Sequence, residues 1–178
     1  MKVQEMNQHE RFNLRYYFQT LTKLLSEPGT FFRQMPPKTH WIRPFGFLMV
    51  SSLFFAVASI IAGMSSHPLL MGMIYLINAV GMTFMAAIIG FIVISMLMGK
   101  RIAFAPFFSI YAFASGVTLL SSWMPCFIVI TEPWKWWLTY IGIKHVCHVS
   151  GRQSLIVILV SIALLLLFFW TLLPFMTH

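Results

Sequence analysis

Apolar residues run through this chain in stretches of membrane-crossing length, and charged residues are confined to the gaps between them. A helix needs about 20 mostly apolar residues to cross a hydrocarbon core about 30 Å thick. Residues 45–63 meet that need, bounded by Arg43-Pro44 before them and Ser65-Ser66-His67-Pro68 after them. Residues 69–98 carry no charge at all. That stretch is longer than a crossing requires, so it predicts a tilted or protruding helix, ended by Gly99-Lys100-Arg101. Residues 106–130 predict a third span, with Pro125 bending its far end. Residues 154–173 predict the last and cleanest one, built around Leu164-Leu165-Leu166-Leu167.

Residues 134–149 are the ambiguous segment: short, with Lys135 and Lys144 near the ends of an apolar middle. Trp134, Trp136, Trp137 and Tyr140 suit an aromatic belt, and the two lysines can snorkel to opposite faces. This reads as a short fourth span, the rival being a helix lying in the interface. Glu132-Pro133, just before it, reads as an outer-face turn. Upstream of all the spans, Leu14, Phe18, Leu21 and Leu25 recur at helical spacing beside Arg11, Arg15 and Lys23. That pattern predicts an amphipathic helix, lying on the inner leaflet or packed on the cytoplasmic ends of the spans. Pro28-Gly29 ends it, and Phe31-Phe32 ahead of Pro36-Pro37 anchors the linker. The expected fold class is therefore all-α: a polytopic transmembrane helical bundle of five spans over residues 44–178, preceded by an N-terminal amphipathic cytoplasmic segment over residues 1–43.

Composition removes the alternative of a water-soluble domain. Only 9% of the residues are charged and 59% are hydrophobic, whereas a soluble domain carries about 25% charged residues. The net charge of +8 sits beside apolar runs rather than in one stripe, which points to the anionic face of a bilayer and not to nucleic acid. With the N-terminus inside, the inner flanks hold Arg33, Lys38, Arg43, Lys100, Arg101, Lys144 and Arg152, and the outer flanks only Lys135. This bias places the N-terminus in the cytoplasm and the C-terminus in the periplasm or a lumen. Trp41, Lys100, Arg101, Trp134, Trp136 and Trp137 are the expected membrane-interface residues. No cleavable signal peptide is expected in the charged first 43 residues. Cys126 and Cys147 approach opposite faces in this topology and form no disulfide framework.

The order of these features resembles a known family. Ser26-Glu27-Pro28-Gly29-Thr30-Phe31-Phe32 leads through Trp41 and Pro44 into the spans, Tyr111-Ala112 lies in the third, and Trp136-Trp137-Leu138-Thr139-Tyr140-Ile141-Gly142 forms the fourth. The chain resembles the Yip domain family, named for proteins that interact with Ypt/Rab GTPases, and in particular its bacterial members. The resemblance covers nearly the whole chain. It implies five spans, a cytoplasmic N-terminus and no established enzyme activity. The acidic Asp-Leu-Tyr-Gly-Pro-type motif of eukaryotic trafficking members is missing, so Rab-type GTPase binding does not carry over with it.

Candidate chemistry is sparse. The cores of the first, second, third and last spans hold no Asp, Glu, Lys, Arg or His, which disfavours a proton- or ion-coupled pump. Tyr111, Ser115, Thr118 and Ser122 share one face of the third span, and Asn78 is the lone amide of the second. Together they predict a polar groove for a lipid headgroup or small solute; the plainer reading is that the hydroxyls bond carbonyls of their own helix. Ser52, Ala56, Ser59 and Gly63 on the first span, with Ala79, Thr83, Ala86 or Ala87, and Gly90 on the second, form small-residue stripes. These predict close packing between those two helices, or a homo-oligomer contact. His145, Cys147 and His148 are weak candidates for a soft metal, with no carboxylate to complete a site. No cofactor motif, nucleophile triad or paired intramembrane carboxylate is present, and no enzyme is expected.

Two functions remain. The first is a membrane-organising, trafficking-related or partner-binding component of a membrane, most simply the bacterial inner (plasma) membrane, with a protein partner or a second copy inside the bilayer. The alternative is a small transporter, channel or lipid-moving protein that uses the groove between the second and third spans.

Overall fold

The computed structural model describes residues 13–36, 41–63, 67–99 and 102–176. Among them there are helices and no strand: α1 (Leu14–Ser26), α2 (Pro28–Arg33), α3 (Ile42–Gly63), α4 (Pro68–Met98), α5 (Phe104–Leu119), a 3-10 turn at Pro125–Phe127, α6 (Ile128–Val146) and α7 (Gly151–Met176). The first, second and last apolar runs therefore become α3, α4 and α7, extended by one to three residues at one or both ends. Pro68 starts α4 in its first turn, where the missing amide hydrogen costs nothing. Gly99 closes the helix in the left-handed region (φ 57°), its N–H reaching the Ser95 carbonyl at 3.2 Å. Lys100, Arg101 and Lys38 lie outside the described residues.

The third and fourth segments differ from the expectation. The helix expected over 106–130 stops at Leu119, and the next one starts at Ile128 rather than at Trp134. Through residues 120–127 the backbone tightens into i→i+3 bonds, Met124 N–H to Ser121 O at 3.3 Å and Phe127 N–H to Met124 O at 3.0 Å. Pro125 explains the break: it offers no amide hydrogen and disfavours helical backbone in the residue before it. Glu132 and Pro133 are not a turn. They lie inside α6, in its second turn, where the proline leaves only the Val129 carbonyl without its helical donor.

α5 is the axis of the bundle. Every residue from 106 to 118 is buried, because α3, α4, α6 and α1 all pack around it. Its neighbours each place a ring on it: Phe47 of α3 and Phe31 of α2 meet Phe113 at centroid distances of 5.4 and 5.1 Å, and Phe84 of α4 stacks on Phe108 at 4.4 Å. Such pairs add about 0.5–1.5 kcal/mol each beyond area burial. Gly116 lets Phe47 lie flush on the helix, since a Cβ there would stand 2.7 Å from the ring. Gly142 of α6 does the same for Ile110 and Phe32.

α1 and α2 pack into this bundle rather than standing apart from it. α1 buries Tyr17, Thr20 and Leu24, with Leu21 partly covered. Tyr17 Oη hydrogen-bonds Ser51 Oγ of α3 at 3.0 Å, and its ring lies 4.8 Å from that of Phe47. The expected apolar face is thus split. Leu21 goes inward, while Leu14, Phe18 and Leu25 are 62%, 62% and 51% exposed. An inward stripe at i, i+3 and i+7 rests on the bundle, and a second apolar stripe looks out.

The outer surface of the long helices is the opposite of a soluble protein's. α3, α4 and α7 are the helices long and apolar enough to cross a membrane, yet only 28%, 28% and 22% of their most apolar stretches are buried. The remainder, including Leu53, Ile61, Ile77, Ile92, Leu159 and Trp170, is exposed and needs an apolar solvent. Inside, the buried polar residues among those described are all serines and threonines.

Candidate functional site

The side chains of Tyr111, Ser115, Thr118 and Ser122 lie along one face of α5 and its trailing turn, as their spacing of four, three and four requires. Together with Asn78 of α4 they line a cavity of about 500 Å³ that opens among α4, α5, α6 and α7, with Phe55 of α3 at its edge. A volume of this size falls within the range of small-molecule sites, about 300–1,000 Å³. The structure therefore brings all five residues to one place. It adds Ala79, Met82, Thr83 and Ala86 of α4, and Glu132, Lys135, Trp136 and Thr139 of α6. α7 contributes only Ile162, Leu165, Leu166 and Phe169. The lining is consequently uneven: α5 presents most of the hydroxyls, α4 and α6 add Thr83 and Thr139 beside apolar and other polar side chains, and α7 presents hydrocarbon alone.

The hydroxyls also do what the plainer reading requires. Thr83 Oγ1 donates to Ala79 O at 2.9 Å, Ser122 Oγ to Thr118 O at 2.8 Å, and Thr139 Oγ1 to Lys135 O at 2.8 Å. Thr118 Oγ1 donates to Ser115 O at 3.0 Å and to Ala114 O at 3.2 Å. Each of these four protons is directed to a carbonyl three or four residues back, with Ser122 Oγ also 3.4 Å from Thr131 Oγ1, whereas Ser115 makes no such bond. At the edge, Lys135 pairs with Glu132 one turn away on α6, and its Nζ lies 5.5 Å from the Trp136 ring centroid.

Tyr111 sits deeper than the other four. Its hydroxyl is buried and closes no hydrogen bond of ordinary geometry, although Ser161 of α7 faces it. The Ser161 proton goes instead to Val157 O at 2.7 Å. The hydroxyl fits only because α4 has Gly90 opposite. A Cβ there would run into Tyr111 Oη and stand 3.0 Å from Tyr111 Cζ and 3.3 Å from Phe107 Cε1.

The small-residue stripes separate into three roles. Ser52 and Ala56 are buried on α3, the Ser52 Oγ without a hydrogen-bond partner, while Ser59 is half-buried and Gly63 is open. Ala79 and Thr83 line the cavity. Gly90, expected to meet the first span, packs against the third through Tyr111 and Phe107. Its spacing with Ala79 and Thr83 places it on α4 but does not say which neighbour α4 will show it to. Among the interface candidates, Trp41 and Trp137 are exposed, Trp134 and Trp137 rings lie 4.8 Å apart, and Trp136 lines the cavity. His145 Nδ1 is engaged with Ile141 O at 2.9 Å. No group of three His, Cys, Asp or Glu side chains able to hold a metal gathers among the described residues. Cys126 and Cys147 are both free thiols, the first exposed and the second buried.

Sequence reasoning missed the α6 and α7 contributions to the cavity. Thr139 carried a usable signal, one turn after Lys135 on a helix read as a short fourth span. The α7 residues Ile162, Leu165, Leu166 and Phe169 carried none, because they fall in an apolar run with no polar position to mark a face.

An apolar exterior on three crossing-length helices, a hydroxyl-only polar interior and a cavity among the helices define an α-helical integral membrane protein. No curated protein and no solved structure matches the chain. The model of the Yip1 domain matches residues 22–173, and the chain belongs to that family.

Proposed function

We propose that this Yip-family chain is a five-span, non-enzymatic membrane component that works by binding, and that the cavity between α4, α5, α6 and α7 holds a lipid-like guest. The observation that carries the reading is the uneven lining, with polar side chains gathered on α4, α5 and α6 and hydrocarbon alone on α7. That division suits an amphipathic molecule better than an ion or a fully water-soluble solute. Catalysis fits less well. The ionisable pair at the edge, Glu132 and Lys135, is spent on itself, so neither group is poised for proton transfer.

α5 and α6 complete the five spans in this reading. With 16 and 19 residues they reach about 24 and 28 Å, short for a full crossing but sheathed by longer helices. The N-terminus then faces the cytoplasm and the C-terminus the periplasm or a lumen, on the charge bias, and a bacterial inner membrane is the simplest setting.

A second reading, a membrane-organising or partner-binding component, is favoured by a different observation. α1 turns Leu14, Phe18 and Leu25 outward with Arg15 and Lys23 on the same helix, a surface suited to anionic lipid or to another membrane protein. Reconstitution separates the two. Purified chain that moves labelled lipid between vesicle leaflets, and loses this on Ser115→Leu, supports the cavity reading. Inactivity alongside a stably co-purified membrane partner or a second copy supports the other.

A further inference from the structure

A second cavity, of about 360 Å³, lies between α1 and the junction of α5 with α6. It too falls in the size range of ligand sites, about 300–1,000 Å³. Leu21 and Leu25 of α1 form one wall, Val117 and Leu120 the floor at the end of α5, and Ile130 and Trp134 of α6 the other wall. Thr118 lines this cavity and the first one alike. Beside it, the 3.4 Å contact of Ser122 Oγ with Thr131 Oγ1 joins a residue of the first lining to one of the second. The two spaces therefore meet back to back at the end of α5.

The second space is the more apolar. Among the described residues no charged side chain lines it. Of its three hydroxyls, Thr118 Oγ1 donates to backbone carbonyls, Thr131 Oγ1 has the Ser122 contact, and Ser121 is exposed. Apart from Ser121, the lining residues exposed at the surface are Leu25, Phe127, Ile130 and Trp134, so the mouth is apolar and opens on lipid. Water gains little in such a space, since a buried water needs several polar partners. An empty space forfeits dispersion contacts on every wall. A charged head group finds no opposite charge inside, and burying it unpaired is costly. What fits is hydrocarbon attached to a head that stays in the bilayer.

We infer that this cavity holds one acyl chain of a neighbouring bilayer phospholipid, inserted through the apolar mouth with its head group left at the membrane interface. The chain packs under Leu21 and Leu25, one and two turns beyond Tyr17, whose hydroxyl and ring make the direct contacts of α1 with Ser51 and Phe47 of α3. Lipid thereby completes the seat of α1 on the bundle. The site stands on the membrane setting of the chain and not on the occupant of the first cavity.

The test uses the full chain in phosphatidylcholine nanodiscs doped with a phosphatidylcholine that carries a diazirine near the end of one acyl chain. Exposed residues such as Ile130 and, on α4, Ile77 are labelled by any lipid at the surface. Val117 and Thr131 are buried and line only the second cavity, so they are reached by a chain inside it. Irradiation and peptide mass spectrometry are expected to label Val117 and Thr131 at a yield comparable to that on Ile77. Ser121→Phe fills part of the cavity from its mouth and is expected to lower the labelling of this buried pair about fivefold, with Ile77 unchanged. Label confined to exposed residues overturns the inference, and so does labelling of the buried pair that survives Ser121→Phe undiminished. A free fatty acid with the same diazirine separates the sources: labelling of Val117 and Thr131 by the acid but not by the phospholipid overturns the assignment to a bilayer lipid. The yields on the unaltered chain decide the matter even where Ser121→Phe folds poorly.

Discussion

At Gly90 one absent side chain lets α4 close on Tyr111, and the cost of restoring it is predictable. Gly90→Ala would push a methyl into the Tyr111 hydroxyl, and overpacking of this kind costs about 1–3 kcal/mol. The expected result is a matching fall in stability of the detergent-solubilised chain, with Gly90→Leu worse and low in yield. Tyr111→Phe alone is expected to be neutral or stabilising, because it removes a buried hydroxyl that closes no hydrogen bond. In the Gly90→Ala background it recovers part of the loss, since the ring carbon remains close. A double-mutant cycle on thermal unfolding measures this, and strict additivity of the two changes would refute the contact. Little of this was legible in advance. The stripe containing Gly90 was visible as a spacing, but a spacing names a face and not the partner that the face meets.

Among the elements, α1 shows how one apolar face can be read from spacing while a second, docking face goes unseen. Its apolar residues at 14, 18, 21 and 25 drew the expected stripe through Phe18, yet the structure turns Tyr17, Thr20 and Leu24 inward. A tyrosine with a hydroxyl partner in Ser51 counts as apolar surface once docked, which no apolar periodicity records. Burial pushes the Tyr17 phenol above its ordinary value, with the Ser51 hydrogen bond pulling more weakly the other way. A raised folded value means that docking favours the neutral phenol. That contribution is whole below about pH 10, the unfolded value, and is lost as pH rises above it through the folded value. Titration of tyrosinate absorbance in the intact chain and in Tyr17→Phe should differ only above pH 10; a difference centred at or below that pH contradicts the docked phenol. Tyr17→Phe itself is expected to cost about 1 kcal/mol, read as a fall in the thermal midpoint. The bounds of α5 and α6 were less legible. Apolar residues run on past Leu119, and the break is written in Pro125 and the short hydroxyl run before it, while Glu132-Pro133 imitates a turn inside a helix.

For the whole molecule, the three crossing-length helices and the all-helical architecture of the described residues, with membership of the Yip1 domain family, agree with the helical membrane-protein class that low charge content and long apolar runs imply. The convergence of Asn78, Tyr111, Ser115, Thr118 and Ser122 was half readable, because helical spacing puts the α5 residues on one face without supplying the opposite wall. That wall comes from α7, and only tertiary packing brings it there. The five-span reading makes a topological prediction: a reporter fused after His178 is active outside the cytoplasm and one fused before Met1 inside it, the reverse pattern or both on one side contradicting it. The account turns most on whether the cavity is occupied. Ser115 lines the open space from a largely buried position, so Ser115→Leu should fill part of the cavity. Native mass spectrometry of the intact chain released from membranes is the direct measurement. The result predicted is a retained lipid-sized adduct that disappears in Ser115→Leu while the variant still unfolds cooperatively; an unliganded intact chain, or the same adduct on both proteins, would contradict the account.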